Sequence, residues 1–386
     1  MFIPYGKQNI NQADIDAVVQ VLQSDFLTQG PQVPLFEKLV AEHVGAKYAF
    51  AMNSATSALH VACLALGLKQ GDVLWTSPIT FVASANCALY CGADVDFVDI
   101  DPQTYNMSVD ALQVKLEAAK QQNKLPKIVV PVHLCGQSCD MERIHALSQE
   151  YGFSIIEDAS HAIGGKYQGN YIGGNQYADI TIFSFHPVKI ITTAEGGMAL
   201  TNNQELAKQI DLLRSHGVTR NPDFMTKPSE GPWYYQQVEL GYNYRMTELQ
   251  AALGVTQLTR LDSFVAQRHE IAKKYNEILK NLPIILPYQL PETYSGLHLY
   301  VIRLKLDKLT KGRKQIFEAL REKGIGVNVH YIPVHNQPYY QQLGFKQGDF
   351  PQAEAYYDAA ISLPMFPDLT DEQMQYIYQT LHEVLM

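Results

Sequence analysis

The sequence predicts an α/β protein: a large domain on a doubly wound, mostly parallel seven-stranded sheet, followed by a smaller α+β domain. Three observations carry this. Between positions 48 and 202, apolar runs of strand length alternate with helical patterns at the spacing of βαβ units. Most of those runs are nearly continuous rather than alternating, as expected of strands covered on both faces. Beyond the helical stretch that starts at Glu248, strands and amphipathic helices follow without that regular alternation.

The candidate strands of the large domain are AFAMN (49–53), VLWTS (73–77), DVDFVDI (94–100), KIVVPVHL (127–134), FSIIED (153–158), DITIFSF (179–185) and GMALT (197–201). TSALHVACLAL (56–66) follows the first, with apolar residues every three or four positions, the period of a helix face. RNPDFMTKPSEGPWYYQQ (220–237) is polar, aromatic and proline-rich and reads as a long loop. Residues 248–279 read as one long helix with the domain change near Gln257, which divides the chain into 1–257 and 258–386. The second part holds strands at 298–304 and 326–331 and helices at 313–323 and 371–385.

Composition narrows the function classes. The chain has 386 residues, 46% of them hydrophobic, enough for a sizeable core. A formal net charge of -9 argues against a nucleic-acid partner. No apolar run reaches the length of a membrane span, and the first residues lack the basic start and apolar core of a signal peptide, so the cytoplasm is the expected location. Five cysteines fit reduced thiols there. His133, Cys135 and Cys139 lack a fourth ligand at close spacing and read as buried groups rather than a zinc site; no metal is expected.

Three stretches lie at strand ends, where open α/β sheets bind ligands. In NSATSALH (53–60) a strand gives way to a helix start whose free N–H groups suit a phosphate; an ordinary helix cap would look the same. In IIEDASHAIGG (155–165), Glu157 and Asp158 end an apolar strand and point to opposite sides of the sheet. A carboxylate there meets either a salt-bridge partner or a cationic ligand atom. In FSFHPVKIITTAEGG (183–197), Lys189 stands among apolar residues with no adjacent acid. It either snorkels to solvent or is kept as a nucleophile with a lowered pKa. A phosphate cradle, a strand-end carboxylate and an isolated lysine are the set that pyridoxal phosphate chemistry needs.

With SPITFVASAN (77–86) and LGYNYRMTELQAALG (240–254), these motifs resemble the DegT/DnrJ/EryC nucleotide-sugar aminotransferases, fold-type I pyridoxal phosphate enzymes, along the whole chain. The resemblance implies that Lys189 forms the Schiff base and Asp158 partners the pyridine nitrogen. It places Phe81 on the ring face, Ala55, Thr56 and Ser184 at the phosphate, and His161 near the ring hydroxyl. It gives Asn243 or Arg245 a contact in the neighbouring subunit's site, hence a homodimer with composite sites. Tyr5, Thr28, His330 and Tyr331 match stretches that line the sugar-nucleotide cleft. Four stretches, DFLTQGP (25–31), HPVKIITTAEGG (186–197), GVNVHYIPVHNQPYY (326–340) and AISLPMFP (360–367), look most like the branch that serves pseudaminic acid synthesis. The implied reaction moves an amino group from L-glutamate, which leaves as 2-oxoglutarate, through pyridoxamine phosphate, to C4 of a UDP-linked 4-keto-6-deoxy-N-acetylhexosamine. The alternatives are a different nucleotide 4-keto or 3-keto sugar, or a catalytically silent cofactor-binding protein of this fold. His133, His186, Arg214, His335, Tyr339 and Tyr340 read as packed, capping or solvated side chains.

Overall fold

A computed structural model describes residues 2–386. The central sheet has seven strands: β1 (Tyr48–Met52), β2 (Val73–Thr76), β3 (Asp94–Phe97), β4 (Ile128–Val130), β5 (Ser154–Asp158), β6 (Ile180–Ser184) and β7 (Gly197–Thr201). Their spatial order is β1-β7-β6-β5-β4-β2-β3. The run from β6 through β5, β4, β2 and β3 is parallel; β7 pairs antiparallel with both β1 and β6. The sheet is therefore mostly parallel, as expected, with one reversed strand that composition does not reveal. β4 is shorter than the 127–134 run predicts because Pro131 has no N–H to extend the ladder.

The chain opens with helices α1 (Gln12–Leu22) and α2 (Gln32–Val44). Then α3 (Ala55–Ala65), α4 (Ala83–Tyr90), α5 (Val109–Gln121), α6 (Met141–Tyr151) and α7 (Gln204–Arg214) accompany the strands. Leu59, Val61, Cys63 and Cys87 of α3 and α4 pack with sheet residues Leu74, Ile128, Ile156 and Ile182. Leu112, Leu116, Ile144 and Leu147 of α5 and α6 pack with Trp75, Val129 and Ile155 in a separate cluster. With helices on both faces, the strands bury side chains on each side of the sheet. Each fully buried large aliphatic side chain contributes about 1.5–3 kcal/mol of transfer free energy.

The stretch 248–279 is two helices, not one: α8 (Glu248–Leu258) and α9 (Leu261–Leu279). Thr259 turns its hydroxyl back onto the Thr256 carbonyl at 2.6 Å. Arg260 leaves helical geometry at φ -108°, ψ 1°, and its guanidinium pairs with the buried Asp14 carboxylate of α1. That tertiary tie outweighs the local helical pattern.

Toward the C-terminus a three-stranded antiparallel sheet forms from β8 (Ile284–Ile285), β9 (Tyr300–Leu304) and β10 (Ala360–Leu363), with β9 central. Helices α10 (Arg313–Glu322) and α11 (Asp371–Leu385) pack with it around Tyr275, Tyr300, Ile316 and Ile377. Ile3, at the other end of the chain, sits in the same cluster. The predicted strand at 326–331 is a correction: the segment is irregular. Its backbone is shared between two partners, Gly326 donating to the Ile3 carbonyl at 2.6 Å and Asn328 bridging to Ser362. With one residue given to each neighbour, no continuous ladder forms. The loop 220–237 is closed at its base by a two-residue hairpin, Val218–Thr219 against Gln236–Gln237, and leaves Trp233 exposed. Among the described residues, no helix is long and apolar enough to cross a membrane.

Candidate active site

A cavity of about 560 Å³ lies at the C-terminal ends of β5 and β6, beside the first turn of α3. It gathers Asp158, Ser184, Lys189, Ala55, Thr56, Phe81, His161, Tyr5, His330 and Tyr331 from distant parts of the sequence. Thr28, Asn243 and Arg245 do not line it within the single chain.

The anion cradle is built by helix geometry. Ser54 caps α3, its hydroxyl accepting from the Ser57 N–H at 3.1 Å. The N–H groups of Ala55 and Thr56, in the first turn, have no intrahelical acceptor. Gly197 makes the approach possible: a Cβ there would lie 2.3 Å from the Ala55 nitrogen. The second glycine of EGG therefore lets β7 pass against the helix start, and its pairing with Ser184 brings that hydroxyl alongside. A helix N-terminus with an adjacent hydroxyl suits a phosphate.

Asp158 is buried at the end of β5 and accepts three hydrogen bonds: from Ser84 Oγ at 2.6 Å, Ser160 Oγ at 2.6 Å and Ser160 N–H at 3.1 Å. An ionised carboxylate has about four acceptor positions, so one is left for a cationic N–H. Glu157 points the other way, as strand alternation requires. It meets His133 Nε2 at 2.7 Å and accepts from Thr181 Oγ1 at 2.5 Å. His133 also takes the Cys139 N–H on Nδ1 at 3.1 Å, so both its ring nitrogens are committed.

Lys189 sits in the turn after β6, its N–H bonded to the His186 carbonyl at 2.9 Å. Thr192 and Thr193 close the loop on the Phe185 carbonyl, which holds the lysine at the cavity wall. Among the described residues its amine has no ion-pair partner. Burial pushes its pKa down to about 8, against the opposing pull of Asp158. The amine is therefore far easier to deprotonate than an exposed lysine, which favours the nucleophilic reading over the snorkelling one.

The far wall comes from the irregular 326–331 segment. His161 accepts the Cys135 N–H on Nδ1 at 3.2 Å and meets Tyr331 Oη through Nε2 at 3.1 Å. Burial, then Lys189 and His330, hold His161 well below its ordinary pKa. Burial and Lys189 do the same to His330, down to about 3. Burial pushes the Tyr331 phenol up, so it stays protonated as a donor. Phe81 stands 58% exposed at the mouth, its ring 6.2 Å from that of Tyr331. Residues that sequence reasoning missed are Ser84, Ser160, Asn328 and His298. Ser160 sits within EDASH, Ser84 within SPITFVASAN and Asn328 within GVNVHYIPVHNQPYY; His298 lies outside these motifs and reaches the cavity only through tertiary folding.

A poised amine, a braced carboxylate and a helix-borne anion cradle facing one cavity define the site of a pyridoxal 5'-phosphate enzyme, and the donors present match that cofactor's charges. The chain belongs to the DegT/DnrJ/EryC1/StrS aminotransferase family, which matches residues 8–382. It is 41% identical to the spore coat polysaccharide biosynthesis protein SpsC of Bacillus subtilis, over 100% of this chain and 97% of that protein. It is 38% identical to the UDP-4-amino-4,6-dideoxy-N-acetyl-beta-L-altrosamine transaminase of Campylobacter jejuni, over 99% of this chain and 97% of that enzyme. Helicobacter pylori PseC, described as an aminotransferase of pseudoaminic acid biosynthesis, superimposes with TM-score 0.91 at 34% identity, covering 100% and 99% of the two chains. The putative sugar aminotransferase Spr1654 of Streptococcus pneumoniae, solved in its PLP form, gives TM-score 0.88 at 29% identity over 100% of both chains. The protein is a pyridoxal phosphate-dependent aminotransferase.

Proposed function

We propose that this enzyme transfers the amino group of L-glutamate to C4 of a UDP-linked 4-keto-6-deoxy-N-acetylhexosamine. The product is UDP-4-amino-4,6-dideoxy-N-acetyl-β-L-altrosamine, for pseudaminic acid synthesis in the cytoplasm. One observation carries the substrate reading: Asn328, Val329, His330 and Tyr331, from a stretch that resembles the pseudaminic acid branch, face the same cavity as Lys189. The C. jejuni relative bears the name of that product's transaminase.

When bound, the cofactor supplies an electron sink for a carbanion. The chain's own residues do the rest. Ala55 and Thr56 N–H groups and the Ser184 hydroxyl hold the phosphate. Asp158, braced by Ser84 and Ser160, keeps the proton on the pyridine nitrogen. Phe81 and His161, both lining the cavity, would cover the ring face and stand near the ring hydroxyl. The Lys189 amine would take up and return the proton at the donor Cα. Tyr5, Thr28, His330 and Tyr331 bind the sugar nucleotide. We also propose that residues 1–257 form the cofactor-binding domain and 258–386 the smaller one.

The preferred acceptor should be UDP-2-acetamido-2,6-dideoxy-β-L-arabino-hexos-4-ulose. Its α-D-xylo epimer should be poorer, because a fixed wall delivers the proton to one face. Turnover of a panel of nucleotide keto sugars, followed by NMR of the products, checks this. Equal or better turnover of the epimer, or of a GDP- or dTDP-linked ketone, would favour a second reading: an aminotransferase for a different nucleotide keto sugar. That reading draws support from the 41% identity to SpsC, whose name carries no such substrate.

The active unit is proposed to be a homodimer with composite sites. Arg245 donates to Ser215 Oγ at 2.9 Å, while its buried Nε has no partner among the described residues, and Asn243 is exposed beside it. Asn243 and the remaining guanidinium N–H groups of Arg245 are the donors proposed to serve a neighbour's phosphate. Mixing inactive Lys189→Ala with inactive Arg245→Ala protomers should restore activity to about a quarter of wild type, since random exchange makes about half the dimers mixed, each with one intact site. No recovery after verified exchange would mean that Arg245 serves its own subunit, or only structure.

A further inference from the structure

Three buried imidazoles face the cavity, and two of them are spoken for. His161 uses both ring nitrogens, on the Cys135 N–H and on Tyr331. His330 uses both as well, Nδ1 with Ser362 Oγ at 2.7 Å and Nε2 with Asn328 Nδ2 at 3.3 Å. His298 is different. It is only 4% exposed and lines the cavity, with its ring 4.5 Å from that of His161. Nδ1 is enclosed without a partner, and Nε2 makes no hydrogen bond to the protein either among the described residues. A buried polar ring with no partner at all costs about 1–3 kcal/mol, and such groups are rare in folded proteins.

The main chain that carries this ring is held in place. Arg268, itself fully buried, donates from Nη1 to the carbonyls of Leu297 at 3.1 Å, His298 at 3.2 Å and Met365 at 3.0 Å. Gly296 donates to the Gly136 carbonyl at 3.0 Å and Leu299 to the Cys135 carbonyl at 3.3 Å. An unpartnered imidazole on a fixed backbone, aimed at a ligand cavity, has the form of a binding group rather than a packing residue.

We propose that His298 binds the amino acceptor, its imidazole holding a hydroxyl or carbonyl oxygen of the keto sugar. This rests on the reading that the acceptor is a nucleotide-linked keto sugar. The alternative occupant, glutamate, brings two carboxylates that call for cationic partners. His298 supplies no charge: burial first, then Lys189, His161, Arg268 and His330, hold it well below its ordinary pKa. A neutral ring suits a neutral, oxygen-rich sugar.

Separate half-reactions test this with the intact holoenzyme. The first is the pyridoxal form with glutamate. The second is the pyridoxamine form with whichever nucleotide keto sugar the wild type turns over fastest, so that a wrong sugar assignment shows in the wild type and not in the variants. His298→Phe keeps the ring and removes both nitrogens. It should lower kcat/KM for the keto sugar about 10- to 100-fold, with a loss for glutamate of no more than about threefold. His298→Gln, which returns a hydrogen-bonding group, should recover much of that loss. If both half-reactions fall together, if cofactor affinity falls with them, or if neither changes, His298 does not bind the acceptor. Should His298→Phe fail to fold, His298→Leu, which also removes both nitrogens, enters the same comparison. A loss confined to the keto-sugar half then supports the proposal, and an even loss or none overturns it.

Discussion

Lys189→Ala should end turnover while the protein still folds and binds pyridoxamine phosphate without a covalent link. The expected loss is at least about 10,000-fold, because positioned proton transfer alone contributes up to about that factor and this residue is also the nucleophile. The physical case is its setting: an amine without an ion-pair partner among the described residues, on a turn fixed by Thr192 and Thr193, with burial pushing its pKa down to about 8. The sign follows from the neutral amine being the reactive form. Capture of pyridoxal phosphate by the apo-protein should speed up as pH rises through about 8 and level off above it. A lysine at its ordinary 10.5 would keep gaining well beyond that point. Stopped-flow absorbance across this range reads the difference, and a rate still climbing steeply above pH 9.5 would contradict the buried-amine account (~1.5 units past the expected midpoint).

Asp158→Ala should cut the rate by about two orders of magnitude or more, some 3 kcal/mol of transition-state stabilisation, and affect folding far less. The carboxylate already accepts from Ser84 and Ser160 in the described structure, so it is built to remain in place. Its remaining acceptor position is what would hold the pyridine nitrogen protonated. Without it the ring is a weaker electron sink and proton abstraction from the donor slows. Rates for the glutamate half-reaction, with cofactor content measured on the same sample, give the answer. A cofactor-loaded variant near wild-type rate would remove Asp158 from this role. Glu157 is a poor substitute, since it is already engaged with His133 and Thr181 on the opposite side of the sheet.

Much of this was legible in the sequence because burial on both faces writes itself as unbroken apolar runs, and because ligand residues of α/β sheets cluster at strand ends. The DITIFSF and FSIIED runs located Lys189 and Asp158 directly. What stayed hidden depends on partners remote in the chain. The reversed sense of β7 goes with the connection at 185–196, which returns the chain beside β6 without a crossover helix. The break at Thr259 and Arg260 comes from a tie to Asp14, more than two hundred residues away. The irregular 326–331 segment divides its backbone between Ile3 and Ser362. His298 enters the cavity from the approach to β9, in a stretch whose local pattern announces no chemistry, while Ser84 lies within SPITFVASAN but meets Asp158 only through the packing of α4.

The central claim is that one lysine, placed by this fold, is the nucleophile that takes the cofactor. Borohydride reduction of the cofactor-loaded enzyme, followed by proteolysis and mass mapping of the modified peptide, tests it most directly. The account predicts a single pyridoxyl adduct on Lys189, lost when glutamate is added before the reductant. An adduct on any other lysine, or one on Lys189 that glutamate does not prevent, would contradict it.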